Sequence, residues 1–251
     1  MPPIRKGDGT PVTPKGISQI RTGDGRILFD GVAIADLAAL YEFEDDDTTD
    51  VAEDSIADND LTLVDEDPSY STDAKVGSFA LSTGSGERAE SQQTVNPVQE
   101  GDSDGFAVMG WLKPAVADQG FTSACGWLQD NDNFLALMPS DGATGIEFQI
   151  AESNINITDA NVSIDTNEYY HWYGEPTDGQ LRLVVHDEDG NEITEETSSF
   201  GEDITDLGSG NYIVGGRLDG SRDYDGLTDD FGISFDPLSD EELDEVVARG
   251  V

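Results

Sequence analysis

From about residue 32 to its end, the chain is a succession of short segments that favour β-strands. These segments are rich in β-branched and aromatic side chains and are bounded by Gly, Asp, Asn or Pro. The clearest of them cover residues 106–112, 133–138, 145–150, 169–173 and 181–185. Many short strands separated by turn-rich spacers are typical of a sandwich or a barrel. The sequence therefore predicts an all-β fold.

One helix is predicted, close to the end of the chain. Ser239 and Glu242 have the spacing of a capping box, in which each side chain satisfies a backbone N–H at the start of a helix. The residues that follow have helical spacing, a basic residue in the last turn and a glycine that can end the helix: Leu243, Val246, Val247, Arg249 and Gly250. We therefore expect a short C-terminal helix.

The charge of the chain constrains the conditions under which it folds. There are 54 acidic residues against 12 basic ones, a formal net charge of -42. Such an excess occurs in disordered chains and in folded proteins adapted to salt. Because 36% of the residues are hydrophobic, we interpret the chain as a folded halophilic protein. In roughly 1 M salt the Debye length is about 3 Å, which removes most of the repulsion. Nucleic acid is not an expected partner, because its phosphates would be repelled.

The sequence carries no signal for a membrane, for export or for a disulfide. No stretch approaches about 18 consecutive apolar residues, so membrane insertion is not expected. Residues 1–12 lack an apolar core, so a secretory signal peptide is not expected. Cys125 is the single cysteine, which excludes a disulfide within the chain.

The first residues differ in charge from the rest. Five of the twelve basic residues lie within residues 1–26, where only Asp8 and Asp24 oppose them. These basic residues are Arg5, Lys6, Lys15, Arg21 and Arg26. Four prolines exclude a helix here, so we expect an extended N-terminal arm over residues 1–31 and a sandwich over residues 32–251. The arm is either a disordered tail or a docking arm that binds an acidic neighbour.

The closing run of the chain has a specific pattern. Residues 214–217 read Val-Gly-Gly-Arg, residues 226–230 read Gly-Leu-Thr-Asp-Asp, and the helix start follows at Leu238. Earlier segments in the matching order are 40–45, 77–81, 106–114, 170–173 and 181–185. This order resembles that of laminin-G-like domains of the concanavalin A-like lectin class. The resemblance implies a two-sheet antiparallel β-sandwich of the jelly-roll type, and this fold hosts lectins, hydrolases and adhesion modules.

The resemblance also implies a metal site. Domains of this class often hold calcium between the loop after the first strand and the last strand, and calcium binds about six to eight oxygens. The matching positions are Glu44, Asp45, Asp54, Asp58, Asp229 and Asp230. Neighbouring side chains in a strand face opposite ways, so only one of the last two is expected to turn inward. We therefore expect a structural calcium or sodium ion. The alternative is that acidic residues occupy these positions by chance, because they are frequent throughout the chain.

A further implication concerns catalysis. Laminarinase-like hydrolases of this fold carry Glu-x-Asp-x-x-Glu on one strand, and its two glutamates are the nucleophile and the acid/base. Glu147 and Glu152 have this spacing, but Gln149 replaces the middle Asp. Because Gln cannot carry the charge of that Asp, we expect no catalytic residue and no enzymatic activity. We interpret the segment as an alternating strand with Phe148 and Ile150 facing the core.

A carbohydrate site is predicted where one strand ends in amide and acid side chains. Aromatic rings stack on sugar faces, and Asp and Asn bind sugar hydroxyls. The residues predicted to bind a glycan are Trp127, Asp130, Asn131 and Asn133. An acidic hairpin adapted to salt explains the same residues.

These features predict a non-enzymatic structural or adhesion protein of a virus that infects a halophilic archaeon. It would be made in the host cytoplasm, without a signal peptide, and assembled into the virion as a capsid decoration, turret or tail-fibre component. The arm would dock to other virion proteins, and the sandwich would bind a host-surface glycan or stabilise the shell. A homo-oligomer, specifically a trimer, is expected. The alternatives are a glycan-binding module, a glycoside hydrolase of the concanavalin A-like class, and a cytoplasmic protein without a carbohydrate ligand.

Overall fold

The structure is a computed structural model, in which the chain divides into two compact units, Met1–Asp36 and Leu37–Val251. The residues that it describes are 19–21, 27–30, 37–44, 51–57, 59–64, 68–100, 105–117, 119, 122–130, 133–139, 145–151, 155–160, 162–177, 179–199, 204, 208–216 and 223–250.

The first unit contains one described hairpin. Strand β1 (Gln19–Arg21) pairs antiparallel with strand β2 (Ile27–Asp30). Of the predicted docking residues, Arg21 is the last residue of β1. The others, Arg5, Lys6, Lys15 and Arg26, lie outside the described residues. Docking by the arm therefore stays a prediction.

The second unit is built mainly from strands. They are β3 (Leu37–Tyr41), β4 (Val51–Ala52), β5 (Leu61–Val64), β6 (Ser69–Ser71), β7 (Ala80–Thr83), β8 (Arg88–Ser91), β9 (Ala107–Pro114), β10 (Cys125–Leu128), β11 (Phe134–Pro139), β12 (Ile146–Ala151), β13 (Ile155–Ala160), β14 (Tyr170–Thr177), β15 (Gln180–His186), β16 (Glu192–Ser199), β17 (Asn211–Val214) and β18 (Gly226–Ser234). The described helices are α1 (Pro97–Glu100) and α2 (Asp240–Arg249).

These strands form two antiparallel sheets. Sheet I has the order β13-β12-β11-β10-β17-β8-β5-β4, and sheet II has the order β16-β15-β14-β9-β18-β7-β6. Strand β18 is long enough to pair with β7 through its first residues and with β3 through its last ones. Several neighbours in each sheet, such as β10 and β17 or β9 and β18, are distant in sequence, as in a jelly roll. The expected two-sheet β-sandwich is thus confirmed.

The hydrophobic core lies between the sheets, and the period of two along each strand decides which side chains enter it. In β12, Ile146, Phe148 and Ile150 belong to the core, as predicted for the last two. Trp127 from sheet I and Trp172 from sheet II lie in the same core and are fully buried. Burial of one such large side chain stabilises the fold by about 1.5–3 kcal/mol.

Helix α2 begins and ends where the sequence predicts. The side chain of Ser239 accepts a hydrogen bond from the backbone N–H of Glu242, and the Glu242 side chain accepts one from the backbone N–H of Ser239. Gly250 ends the helix in the left-handed region at φ 84°, which a glycine adopts without strain. The capping box and the glycine stop are therefore confirmed.

Strand β16 was not predicted, because its residues carry no apolar alternation. It lies at the edge of sheet II, and its side chains are mostly exposed. Its glutamates are typical of edge strands that avoid pairing with other chains. Within the described part of the chain, no helix has both the length and the apolar character needed to span a membrane.

Candidate functional site

The outer face of sheet I, which points away from the core, carries a second buried apolar cluster. Its members lie on the adjacent strands β12, β11, β10 and β17 and are at most 3% exposed. They are Leu128, Phe134, Ala136, Ala151 and Ile213. This face therefore offers no open surface to a ligand at these five positions.

Glu147 and Gln149 lie on the same outer face and are also buried, with 8% and 1% of their surface exposed. The Gln149 amide Nε2 donates a hydrogen bond to Glu147 Oε2 over 2.7 Å. Glu152, the second glutamate of the hydrolase-like pattern, lies outside the described residues. The middle position of the pattern thus supplies a neutral amide, not a second charge, next to the first glutamate.

The outer face of sheet II is covered by helix α2 and its approach. The backbone N–H of Leu238 donates to the Tyr173 hydroxyl over 2.8 Å, and Arg182 Nη2 lies 2.5 Å from Asp240 Oδ1. The apolar side of α2, formed by Leu243, Val246 and Val247, is buried. Most of this face is therefore closed as well.

A row of aromatic rings lies on this covered face. The Trp111 and His171 ring centres are 5.3 Å apart, and the His171 and His186 ring centres are 5.6 Å apart. The Lys75 Nζ atom lies 4.7 Å from the centre of the Trp111 ring, in a cation–π contact. Burial lowers the pKa of His186, although the charges of Asp244 and Asp187 act in the opposite direction.

Carboxylates meet where β18 changes its register, and Asp229 and Asp230 are both buried there. Asp230 has a φ of 46°, so the backbone turns within the strand. Burial raises the pKa of Asp229 to about 7, and the charge of Glu44 adds to the effect. Burial also raises the pKa of Asp230 well above its usual range, with the charges of Asp229, Glu42 and Glu44 adding to it.

The backbone already binds two of these carboxylates. Asp229 Oδ2 accepts hydrogen bonds from the N–H groups of Lys75 and Val76, at 2.7 and 2.9 Å. Glu44 Oε1 accepts from Ser78 and Phe79, at 2.7 and 3.2 Å. These bonds fasten the segment around residues 75–79 over sheet II.

Asp54, another predicted metal ligand, has a different structural role. Its Oδ1 atom accepts hydrogen bonds from the N–H groups of Leu40 and Ile56, at 3.1 and 3.0 Å. Its charge is not among those that raise the pKa of Asp230. Asp45 and Asp58 lie outside the described residues.

The predicted metal site is thus brought together only in part. Glu44, Asp229 and Asp230 are neighbours, but among the residues that the structure describes no group of three or more His, Cys, Asp or Glu side chains could hold a metal ion. Calcium needs about six to eight oxygens, and hydrogen bonds to the backbone already use one oxygen of Glu44 and one of Asp229. The described residues alone therefore do not fit a calcium ion, and the site stays a prediction.

The predicted glycan site is wrong in its main element. Trp127 is fully buried in the core, and its Nε1 atom donates to the carbonyl of Val95 over 2.9 Å. Its ring therefore has no face available for a sugar, because β10 turns Trp127 towards the opposite sheet. Asn131 lies outside the described residues.

Asp130 and Asn133, the other members of that prediction, close the turn between β10 and β11. Asp130 Oδ1 accepts hydrogen bonds from the backbone N–H and the side-chain amide of Asn133, at 2.9 and 3.0 Å. Asp187 and Asn191 repeat this arrangement between β15 and β16. These acid–amide pairs stabilise turns in the described chain.

An open groove of about 230 Å³ lies at one end of sheet II. Lys113, Leu227 and Ser82 are opposite one another on the neighbouring strands β9, β18 and β7. Three further residues lie around them: Asp73, after β6, Thr166, in the turn before β14, and Asp225, just before β18. The groove is therefore assembled from the ends of several strands.

The Lys113–Asp73 pair and the backbone of Asp225 are held in place by neighbouring side chains. Lys113 Nζ lies 2.8 Å from Asp73 Oδ2 and 5.4 Å from the centre of the Tyr169 ring. The Tyr169 hydroxyl donates to the carbonyl of Asp73 over 2.6 Å. Gln119 binds both the N–H and the carbonyl of Asp225, at 2.8 and 2.6 Å. The spacing of these residues in the sequence does not indicate that they meet. Lys113 and Pro114, at the end of β9, both line the groove.

A second depression, of about 310 Å³, lies at the open end of the β15–β16 hairpin. Its lining residues, Gly179, Gln180, Thr197, Ser198 and Ser199, carry no charge and no large apolar group. It therefore lacks the combination of charged, hydroxyl and apolar side chains that lines the first groove.

Comparison with known proteins agrees with this architecture. A laminin G-type family model, described as the concanavalin A-like lectin/glucanases superfamily, matches residues 86–244. The chain belongs to this family, as the order of its segments indicates. No curated protein sequence matches the chain.

Several solved structures share the fold. Domain 4 of AbnA, a GH43 extracellular arabinanase from Geobacillus stearothermophilus in complex with arabinotriose, has a TM-score of 0.63 and 17% identity, and the match covers 84% of this chain and 98% of that chain. The binding domain of botulinum neurotoxin DC in complex with rat synaptotagmin II has a TM-score of 0.61 and 12% identity, with 86% and 52% covered. Trypanosoma rangeli sialidase in complex with the inhibitor DANA has a TM-score of 0.58 and 14% identity, with 92% and 35% covered.

At these identities the likeness shows the fold alone. The chain spans nearly all of the arabinanase domain but only about half of the toxin binding domain and about a third of the sialidase. The description of the family names both lectins and glucanases, so the choice between binding and hydrolysis depends on the residues of this chain.

Proposed function

We propose that the protein is a non-enzymatic carbohydrate-binding module that serves as an adhesion or shell component of a halophilic virus particle. The pair formed by Glu147 and Gln149 is the observation that carries the proposal. A retaining glycosidase needs two carboxyl groups about 5–5.5 Å apart on either side of the sugar bond. Here the buried Glu147 accepts a hydrogen bond from the amide of Gln149, which stands at the middle position of the pattern and does not ionise.

Carbohydrate binding is supported by the family and by what similar proteins bind. The arabinanase domain was solved with arabinotriose. Cell entry of botulinum neurotoxin type C, whose binding domain shares this fold, depends on two ganglioside molecules. Both are properties of those proteins, and they support a glycan as the ligand class for this chain.

The role in a particle rests on charge. Residues 1–26 hold five basic and two acidic residues, which leaves 52 of the 54 acidic residues for the rest of the chain. A basic arm on so acidic a protein is suited to docking with an acidic partner, such as another shell protein or a second copy. Apolar residues of the arm must add to this attraction, because salt at molar concentration screens charges beyond about 3 Å.

Binding and turnover can be measured together in molar NaCl. We expect the protein to bind members of a glycan array without releasing reducing sugar from β-glucans. Release of sugar by the wild type that is lost in Glu147→Gln would favour a hydrolase. The absence of both binding and turnover would contradict the carbohydrate role.

The particle role has a separate test. We expect the full chain to cosediment with virus particles released from a salt-grown culture that expresses it, and to lose this property when residues 1–31 are deleted. A monomer that never associates with a shell or tail protein would exclude the particle role and leave the carbohydrate role standing.

A further inference from the structure

We propose that the groove between Asp73, Lys113 and Asp225 is the carbohydrate site, and that it accepts one neutral pyranose and discriminates against acidic sugars. This inference rests on the proposed function and adds the location and the ligand class. It places the ligand on sheet II, not on the outer face of sheet I, where Glu147 and Gln149 lie.

The groove is open, whereas the described outer faces of both sheets are largely covered. On sheet I the outer-face side chains from β10, β11, β12 and β17 that form the apolar cluster are at most 3% exposed. On sheet II, helix α2 and the segment around Lys75 cover the aromatic row. The groove lies beyond this cover, at the ends of β9 and β18, where the described part of the outer face is open.

The size of the groove limits the ligand that it can accept. The groove has a volume of about 230 Å³. Pockets that enclose drug-sized ligands start at about 300 Å³. The groove therefore suits a single sugar ring, such as the end residue of a glycan, and does not enclose an oligosaccharide.

The groove also places hydrogen-bond donors and acceptors side by side. Neighbouring hydroxyls of a sugar are bound best by a donor and an acceptor placed side by side. Lys113 Nζ and Asp73 Oδ2 are 2.8 Å apart, and the described residues use one of the three ammonium donors. The Ser82 and Thr166 hydroxyls add further hydrogen-bonding capacity, and Leu227 offers an apolar contact for the C–H face of the ring.

The Lys113–Asp73 pair of the groove is held in place before a ligand binds. The Tyr169 ring and Asp73 together hold the Lys113 ammonium, and the Tyr169 hydroxyl holds the backbone of Asp73. Gln119 holds the backbone of Asp225 from both sides. Groups that are ordered before binding lose less conformational entropy when the ligand arrives.

Charge then sets the discrimination. Asp73 and Lys113 compensate each other, whereas Asp225 is exposed at the groove and adds a negative charge. A uronic or sialic acid would bring a carboxylate close to this charge, which disfavours binding. Salt at molar concentration reduces the Debye length to about 3 Å, so the discrimination acts at contact distance and not by steering from afar.

The experiment is calorimetric titration in molar NaCl with methyl mannoside, methyl glucoside, N-acetylglucosamine, glucuronate and sialic acid. We expect at least one neutral sugar to bind, and the acidic sugars to bind at least about tenfold more weakly. Asp73→Ala and Lys113→Met should each weaken binding of the neutral sugar by about tenfold or more, since each removes a charged hydrogen-bonding group. Asp225→Asn should reduce the difference between neutral and acidic sugars.

Two further variants complete the design. Thr166→Trp fills the groove from an exposed turn and should abolish binding. Glu241→Ala removes an equivalent exposed charge from helix α2 and should leave binding unchanged. Circular dichroism in the same salt confirms that each variant is folded.

Different outcomes test the carbohydrate function and the location of the site. If the wild type binds no glycan on the array, the proposed carbohydrate function is wrong. If it binds a sugar with unchanged affinity after Asp73→Ala, Lys113→Met and Thr166→Trp, the groove is not the site, although the carbohydrate function stands. Equal affinity for neutral and acidic sugars would overturn the proposed discrimination.

Discussion

Arg182 Nη2 lies 2.5 Å from Asp240 Oδ1, and this ion pair joins strand β15 to the first turn of helix α2. The same guanidinium lies 2.7 Å from Glu195 Oε1 through Nε, and its central carbon is 5.8 Å from the centre of the Tyr173 ring. Arg182 Nη1 also lies 3.6 Å from Glu175 Oε2. One cation on β15 therefore connects the neighbouring strands β14 and β16 and the helix that covers them.

We expect Arg182→Met to lower the free energy of unfolding by about 1–3 kcal/mol, because the buried Glu175 loses its cation. The pair with Asp240 contributes little, since that carboxylate is largely exposed. Urea unfolding in molar salt measures the change. Arg182→Lys keeps the charge and should cost less, and equal losses in both variants would show that the charge is not the cause.

Gly126 is expected to tolerate no side chain. A Cβ atom at this position would lie 2.1 Å from the carbonyl oxygen of Leu135 in the paired strand β11. Gly126→Ala should therefore destabilise the fold by about 1–3 kcal/mol through overpacking. Gly84→Ala is the matched control, because its Cβ would meet only the flexible carboxylate of Glu87 at 3.3 Å. A similar melting temperature for both variants would contradict the close approach of the strands.

His186 is expected to reduce stability as the pH falls. Burial lowers its pKa in the folded state below the ordinary value of 6.5, so the unfolded chain binds the proton more tightly. This contribution to stability is present above pH 6.5 and decreases as the pH drops below that value. His186→Gln should weaken the decline in melting temperature between neutral and mildly acidic pH. An unchanged pH profile would exclude His186 as its source.

The contribution of Asp229 to stability is expected to decrease as the pH rises, which is the opposite of His186. Burial raises its folded-state pKa from 3.8 to about 7, so its contribution is fully present below pH 3.8 and is lost as the pH rises through about 7. Asp229→Asn should remove this dependence, because the Asn oxygen can still accept from the N–H groups of Lys75 and Val76. Melting temperatures from acidic to alkaline pH, in the presence of a chelator, measure the effect.

Asp229→Ala is the control for that substitution. It leaves the two N–H groups without their acceptor and should be destabilised at every pH. Adding calcium to the wild type and to Asp229→Asn also tests the predicted metal site. Stabilisation of the wild type alone would support a site that includes this carboxylate.

The acidic excess predicts that folding depends on salt. We expect the circular dichroism signal of the sandwich to decrease as NaCl or KCl falls below roughly 1 M, because screening of the net charge of -42 is lost. Sucrose at equal osmolality is the control, since it does not screen charge. A protein that stays fully folded at low salt would contradict the halophilic interpretation.

Local signals in the sequence were enough for the class of fold and for several of its elements. Short β-branched runs bounded by turn residues predicted the strands, and the spacing of Ser239, Glu242 and Gly250 predicted both ends of helix α2. These signals are local because alternation and capping depend on residues only a few positions apart. The order of the segments was also enough for the family.

The tertiary structure alone decided where ligands have access. Trp127 is a residue type that stacks on sugars, but the register of β10 turns its side chain into the core. Lys113 and Asp73 are 40 residues apart in sequence, and Gln119 and Asp225 are 106 residues apart. Such contacts depend on which strands pair and which loops cross a sheet, and no local pattern encodes that. The sequence by itself therefore determined a strongly acidic β-sandwich. Only the packing of its strands closed much of the outer faces and, within the described residues, left the groove at the end of sheet II open.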